Sequence, residues 1–234
     1  MRTIFLSTVA TAVALSSPIA AQTADPESPS EREAPPSWGA EGPYRLDFFL
    51  AGGIGARLDD PPLFTASSRA VPMLEAGLDL FLSERLSFGL HYARLALAPE
   101  DSGVLPTGHV RLDRSVDLLW LGLRIDPLQS DAISGYLRLG PGLAWQHLDV
   151  RGLAWPAVTP GAQIPVSCGA TALGFGIRAA AGVDVVLHDQ LRFLAEAGAD
   201  NLRLTSDVIG GCGPGAGTAT VLGLRGGFAY GLPL

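Results

Sequence analysis

The stretch Gly174–Leu187, GFGIRAAAGVDVVL, constrains the fold more than any other part of the chain. Phe175, Ile177, Ala179, Ala181, Val183, Val185 and Leu187 fall on one side of a period-two repeat; Gly174, Gly176, Arg178, Ala180, Gly182 and Asp184 fall on the other. That period belongs to a β-strand, whose successive side chains point to opposite faces. One face is wholly apolar and the other small or charged. In a soluble sandwich the apolar face would point into the core and the polar face into water. Repeated glycine with single arginines and carboxylates suits a crowded polar lumen better than an open solvated surface.

The same alternation recurs after Pro43, and no long 3.6-residue periodicity competes with it. It predicts eight strands, near Tyr44–Leu58, Val71–Leu82, Leu86–Leu97, Leu112–Ile125, Tyr136–Leu148, Ala172–Leu187, Leu191–Leu204 and Thr218–Leu232. Only 17% of the residues are charged and the mean hydropathy is +0.29, yet no stretch after the first twenty residues is apolar for long enough to cross a bilayer as a helix. Connection lengths add direction. Residues 83–85, 126–135 and 188–190 are short links, and they alternate with the longer 59–70, 98–111, 149–171 and 205–217. Short periplasmic turns opposite long extracellular loops mark an outer-membrane barrel, and an even strand number leaves both termini periplasmic. Tyr44 and Tyr230 then project outward at one rim and Trp145 near the other, as interfacial aromatic girdles require. Strict alternation turns Arg94 and Asp117 toward lipid, which places them at a rim or beside a bulge.

Residues 1–21 read as a signal peptide: Arg2, an apolar run from Ile4 to Leu15, then small residues at Ala20 and Ala21. Residues 22–43 hold five prolines and five acidic groups with Trp38 as the only large apolar side chain, and read as an extended periplasmic linker before the barrel of residues 44–234. The formal charge of −7 becomes −8 without Arg2 and argues against nucleic acid as a partner. All 16 basic residues are arginine. Without lysine there is no Walker A phosphate loop, Schiff base or pyridoxal phosphate site, and no cofactor is expected.

An eight-stranded barrel is about wide enough for side chains to fill it. The inward positions of the clearer strands carry seven arginines (Arg45, Arg57, Arg124, Arg138, Arg178, Arg192, Arg225) and seven carboxylates (Asp47, Glu75, Asp79, Asp126, Asp184, Glu196, Asp200). Balanced charges with little water must pair, and the planar guanidinium can hold a carboxylate at two points. An ion-paired network closing the lumen is therefore expected. The two cysteines, Cys168 and Cys212, fall in long loops on one predicted face and flank the sixth and seventh strands, so an exported chain should join them as a disulfide.

Other motifs give weaker signals. His91 points to the lumen, His109 lies in a long loop, His147 sits at the upper end of the fifth strand and His188 in a short turn; no pair has metal-ligand spacing. His147 has Asp149 two residues on, but no serine follows in that strand, so no catalytic residue is assigned. The run Gly210–Gly217 precedes a strand, not a helix, and reads as a flexible surface loop pinned by the disulfide, not an anion cradle. The Gly52-Gly53-Ile54-Gly55 cluster lies within a strand, where glycine relieves crowding.

YLRLGPGLAWQ (Tyr136–Gln146), the hairpin GFGIRAAAGVDVVLHDQLRFLAEAGADNLRL and the terminal VLGLRGGFAYGLPL together resemble the outer-membrane β-barrel superfamily of OmpA- and OmpX-like proteins, over about residues 43–234. The family commonly ends in an aromatic residue, often phenylalanine, read by the barrel-assembly machinery; here Phe228, Tyr230 and Leu232 lead to Pro233 and Leu234. The resemblance implies outer-membrane lipid and that machinery as partners, and a non-enzymatic structural or surface-interaction role. The alternatives are a narrow OmpW-like channel for small, even apolar, solutes, a lipid-modifying enzyme, or a soluble lipocalin-like barrel.

Overall fold

A computed structural model describes residues 44–59, 65–66, 69–101, 108–154 and 163–234; the expected signal peptide and linker lie outside these residues. Eight long strands follow one another: β1 (Arg45–Arg57), β2 (Ala70–Ser83), β3 (Leu86–Asp101), β4 (Gly108–Gln129), β5 (Ile133–Ala154), β6 (Ile164–His188), β7 (Leu191–Arg203) and β8 (Thr218–Pro233). Each pairs antiparallel with its sequence neighbours, and β1 pairs with β8 from Arg45↔Pro233 to Arg57↔Val221, so the sheet closes on itself. Closure leaves no edge through the belt, the condition for a sheet to cross a membrane.

The register fixes the barrel's shape. Cross-strand partners lead from Leu46 through Leu80, Phe88, Leu123, Leu139, Ala179, Ala199 and Leu222 back to β1 at Ala56, a stagger of ten residues. Eight strands with that stagger tilt by about 40° to the axis. At the closing seam glycines face backbone: a Cβ on Gly53 would strike the Leu224 carbonyl, and one on Gly227 the Leu50 carbonyl. The glycines of the first and last strands thus let the two ends of the chain meet.

Alternation places Leu50, Leu74, Leu121, Leu139, Phe175, Ile177 and Leu224 on the outside as exposed apolar side chains, while arginines and carboxylates of the same strands are buried inside. The sequence sets four boundaries on the long-loop side too short. Strands β3, β4, β5 and β6 run past Leu97, Leu112, Leu148 and Ala172, and most of the expected 149–171 loop is a hairpin paired up to Ala154↔Ile164. Above the apolar belt the polarity of the two faces inverts. Leu112, Leu148 and Val150 are buried inside, while Asp113, His147, Asp149 and Arg151 face out, so the pattern imitates a polar loop. Arg94 and Asp117 do face outward, directly opposite each other, but not beside a bulge; the nearest register shift lies between Leu97 and Glu100.

Candidate functional site

The lumen is built in layers. Nearest the periplasmic turns, Arg45 and Arg192 both reach Asp47, Arg192 also lies 3.2 Å from Asp184, and Arg124 sits 2.5 Å from Asp184 and 2.7 Å from Asp126. One step higher, Asp79 meets Arg138 at 2.8 Å, Glu196 meets Arg138 and Arg225 at 2.9 Å each, and Asp200 meets Arg225 at 2.5 Å and Arg178 at 2.7 Å. Glu75 completes this set, 2.5 Å from Arg178 and 3.3 Å from Arg225. Tyr136 joins the two sets: the Arg124 guanidinium lies 3.9 Å from the centre of its ring, and its hydroxyl donates to Glu196 at 3.3 Å. Strand alternation alone aims these groups inward from seven strands, where each lone charge would otherwise sit desolvated.

Above the charges the filling changes. Leu95, Val116, Leu118, Trp120 and Leu202 are fully buried and pack with Val71, Met73, Ala93 and Val221 into one apolar layer. Arg178 spans the boundary, its guanidinium 4.8 Å from the Trp120 ring. Toward the extracellular end, Glu100 is shared by Arg57 at 3.4 Å and Arg114 at 3.0 Å. Arg57 is thus the one inward arginine of the sequence set that stands apart from the others. Glu100, Arg114, Tyr136 and His91 were not in that set. Glu100 fell within the expected loop 98–111, whereas continued alternation from Val116 back through Arg114 would have aimed that arginine inward. His91 lies buried with Nε2 2.8 Å from Asp79.

The mouth is occupied by the segment between β7 and β8. Val208–Ile209 pairs with Gly213–Pro214 in a small hairpin whose turn needs Gly210 and Gly211, at φ 55° and 74°, in the left-handed region. Ile209 is buried against Leu112, Leu148 and Val150. Arg57 Nη2 donates to the Ala216 carbonyl at 3.0 Å, and Arg114 Nη1 to that of Pro214 at 2.6 Å. The glycine-rich run is therefore not a flexible surface loop: buried arginines and an apolar anchor draw it into the barrel mouth. Cys168 and Cys212 form a disulfide with Cα atoms 5.6 Å apart. Cys168 lies within β6, not in a loop, so the bridge ties the hairpin to the barrel wall.

A second polar set lies outside. On β3 to β6, just above the outward apolar residues, the Tyr92 hydroxyl donates to Asp117 at 2.8 Å, and His147 Nε2 lies 2.8 Å from the other Asp117 oxygen. His147 Nδ1 is 3.1 Å from the Thr171 hydroxyl, and Arg94 Nε stands 3.8 Å from Asp117. Trp145, directly across from Asp117, marks the same height.

A closed eight-stranded ladder with an apolar exterior belt, interfacial aromatic and polar groups above it and charges inside defines a small outer-membrane β-barrel. No protein-family model and no curated protein matches the sequence. Among solved structures the chain is similar to Ail, the attachment invasion locus protein of Yersinia pestis, at 10% identity, covering 80% of this chain and 98% of that one with a TM-score of 0.42. Neisserial surface protein A matches at 11% identity, 81% and 97% coverage and a TM-score of 0.43. OprG from Pseudomonas aeruginosa matches at 14% identity, 80% and 96% coverage and a TM-score of 0.47.

Proposed function

We propose that this protein is a non-conducting outer-membrane scaffold whose lumen is closed and whose extracellular β-extension serves structural or surface-interaction roles. The observation that carries this reading is the fully buried apolar layer around Trp120, which separates the charged layers below it from the Arg57–Glu100–Arg114 set above. Ions crossing such a layer would shed their water without replacement ligands, which is costly. A continuous channel, the alternative reading, needs a polar path that this layer interrupts. The plug hairpin, held by the disulfide and by two buried arginines, stiffens the base of the β5–β6 extension, so the displayed surface stands on a rigid base. Membrane lipid around the belt, and the assembly machinery during insertion, are the partners this location calls for. Liposome swelling tests the reading. Proteoliposomes should swell no faster than protein-free ones in small sugars or amino acids; rapid swelling would overturn it.

One observation favours a second reading, lipid modification. Thr171, His147 and Asp117 follow the order hydroxyl, imidazole, carboxylate, the arrangement of an activated nucleophile and its base. The sequence does not reveal this trio because its members lie on three strands. Release of fatty acid from purified outer-membrane lipid, abolished in His147→Ala and Thr171→Ala, would establish that activity; no release by the native protein would exclude it.

A further inference from the structure

We propose that the outer wall over β1 to β4 is a binding site for the phosphorylated glycolipid of the outer leaflet, with one acyl chain lying in a wall groove and the headgroup held by the polar ledge above it. The proposal rests on the membrane-spanning reading.

The groove has a volume of about 350 Å³ and is lined almost entirely by apolar atoms. On the lipid-facing side the small side chain of Ala76 sits low between Phe48, Leu78 and Leu90, and Tyr92 lines the same hollow. Phe48, Ala76, Leu78, Leu90 and Tyr92 stand on the lipid-facing side, where water gains nothing by entering and an unfilled hollow forfeits van der Waals contact. The occupant available there is hydrocarbon. The hollow has the volume of a short stretch of hydrocarbon chain and lies open to the lipid along one side.

Tyr92 belongs to both features. Its ring lines the groove, and its hydroxyl begins the chain to Asp117, His147 and Thr171. The headgroup of a lipid whose chain fills the groove therefore arrives at this ledge. Arg94 stands beside it with 58% of its side chain exposed, and its contact with Asp117, at 3.8 Å, lies at the outer limit of an ion pair. Its guanidinium has donors to spare for a phosphate. The His147 side chain is 42% exposed and adds a second polar group at the same level. At the upper ends of β7 and β8 the outward groups are Asn201 with Thr220 and Arg203 with Thr218. An apolar groove leading up to an accessible arginine fits an amphipathic anion with its charge at the membrane surface.

The test uses full-length protein in maltoside micelles, titrated with bisphosphorylated lipid A, with phosphatidylglycerol and with a neutral glycolipid, and read by native mass spectrometry. Lipid A should be retained in preference to both others. Ala76→Phe, which fills the groove from outside, and Arg94→Gln, which removes the cation, should each weaken lipid A binding by about tenfold. Heat-modifiable gel migration and unfolding midpoint check that both variants fold. Equal retention of phosphatidylglycerol would overturn the glycolipid assignment, and unchanged binding in both folded variants would overturn the site. Recovery of the native protein from a soluble periplasmic fraction would instead defeat the membrane reading on which the site rests.

Discussion

Around Arg178 the lumen holds guanidinium and carboxylate groups in contact across the barrel; a little further up, around Leu95, Val116 and Leu118, the described inward side chains pack as an apolar cluster. Both regions are buried and both are filled by side chains at inward positions. They differ in how each tolerates error. In the charged region a side chain matters through its partners: Arg178 serves Glu75 and Asp200, so its loss leaves two buried carboxylates to Arg225 alone. In the apolar region a side chain matters through its volume, and a neighbour of similar size can replace it. The charged half ties distant strands together across the lumen, because every arginine of these layers except Arg45 reaches a carboxylate on another strand. The apolar half fills space.

Shape-conserving substitutions separate the two regions, and the largest effect should come from the charged one. Arg178→Met keeps much of the side-chain volume but leaves Glu75 and Asp200 with Arg225 as their one remaining cation, and is expected to destabilise by about 3–5 kcal/mol in denaturant titrations of the micellar protein. A loss below about 1 kcal/mol would mean that the carboxylates are already solvated, and the distinction between the halves would fail.

The double replacement Cys168→Ser with Cys212→Ser probes the mouth. The bridge closes a segment with a sequence separation of 44 residues, which should be worth about 3–4 kcal/mol by loop-closure entropy. Reduction of the native protein should lower its melting temperature to that of the double variant. No shift in either experiment would show that the hairpin is held by Ile209 and the arginines alone.

Outside, Ile177→Arg at an exposed apolar position should destabilise by about 2–4 kcal/mol if it lies near the bilayer midplane. Comparison of unfolding in lipid vesicles with that in detergent would show the cost rising in lipid. An equal or smaller effect in lipid would place Ile177 outside the hydrocarbon. The smallest change is expected for Leu95→Met in the apolar layer, below about 1.5 kcal/mol because volume is nearly conserved. A loss as large as that of Arg178→Met would remove the contrast between the halves.

How much of this was legible in the sequence depends on what carried each feature. The charged half was readable because arginines and carboxylates such as Arg138, Glu196 and Arg225 sit at one parity in strands whose other face is apolar, and parity is a property of the strand alone. The plug was not, because Ile209 borders and Ala216 sits in a glycine-rich run with no periodicity, and only the three-dimensional closeness of Leu112, Leu148 and Arg114 shows where that run goes. The ledge was hidden for another reason: Tyr92, Asp117, His147 and Thr171 lie on four strands, and the register that aligns them is set by turns far from any of them. His147 could be singled out as a residue, but its carboxylate partner is Asp117 across the sheet, not Asp149 two residues along its own strand.

The central claim, a barrel closed by charged and apolar layers in series, is tested most directly by planar-bilayer recording of the purified native protein. Quiet traces, without stable unitary steps at moderate voltage in concentrated salt, are the expected result. Stable open-channel steps that recur with each insertion and persist with the Cys168–Cys212 disulfide intact would contradict it.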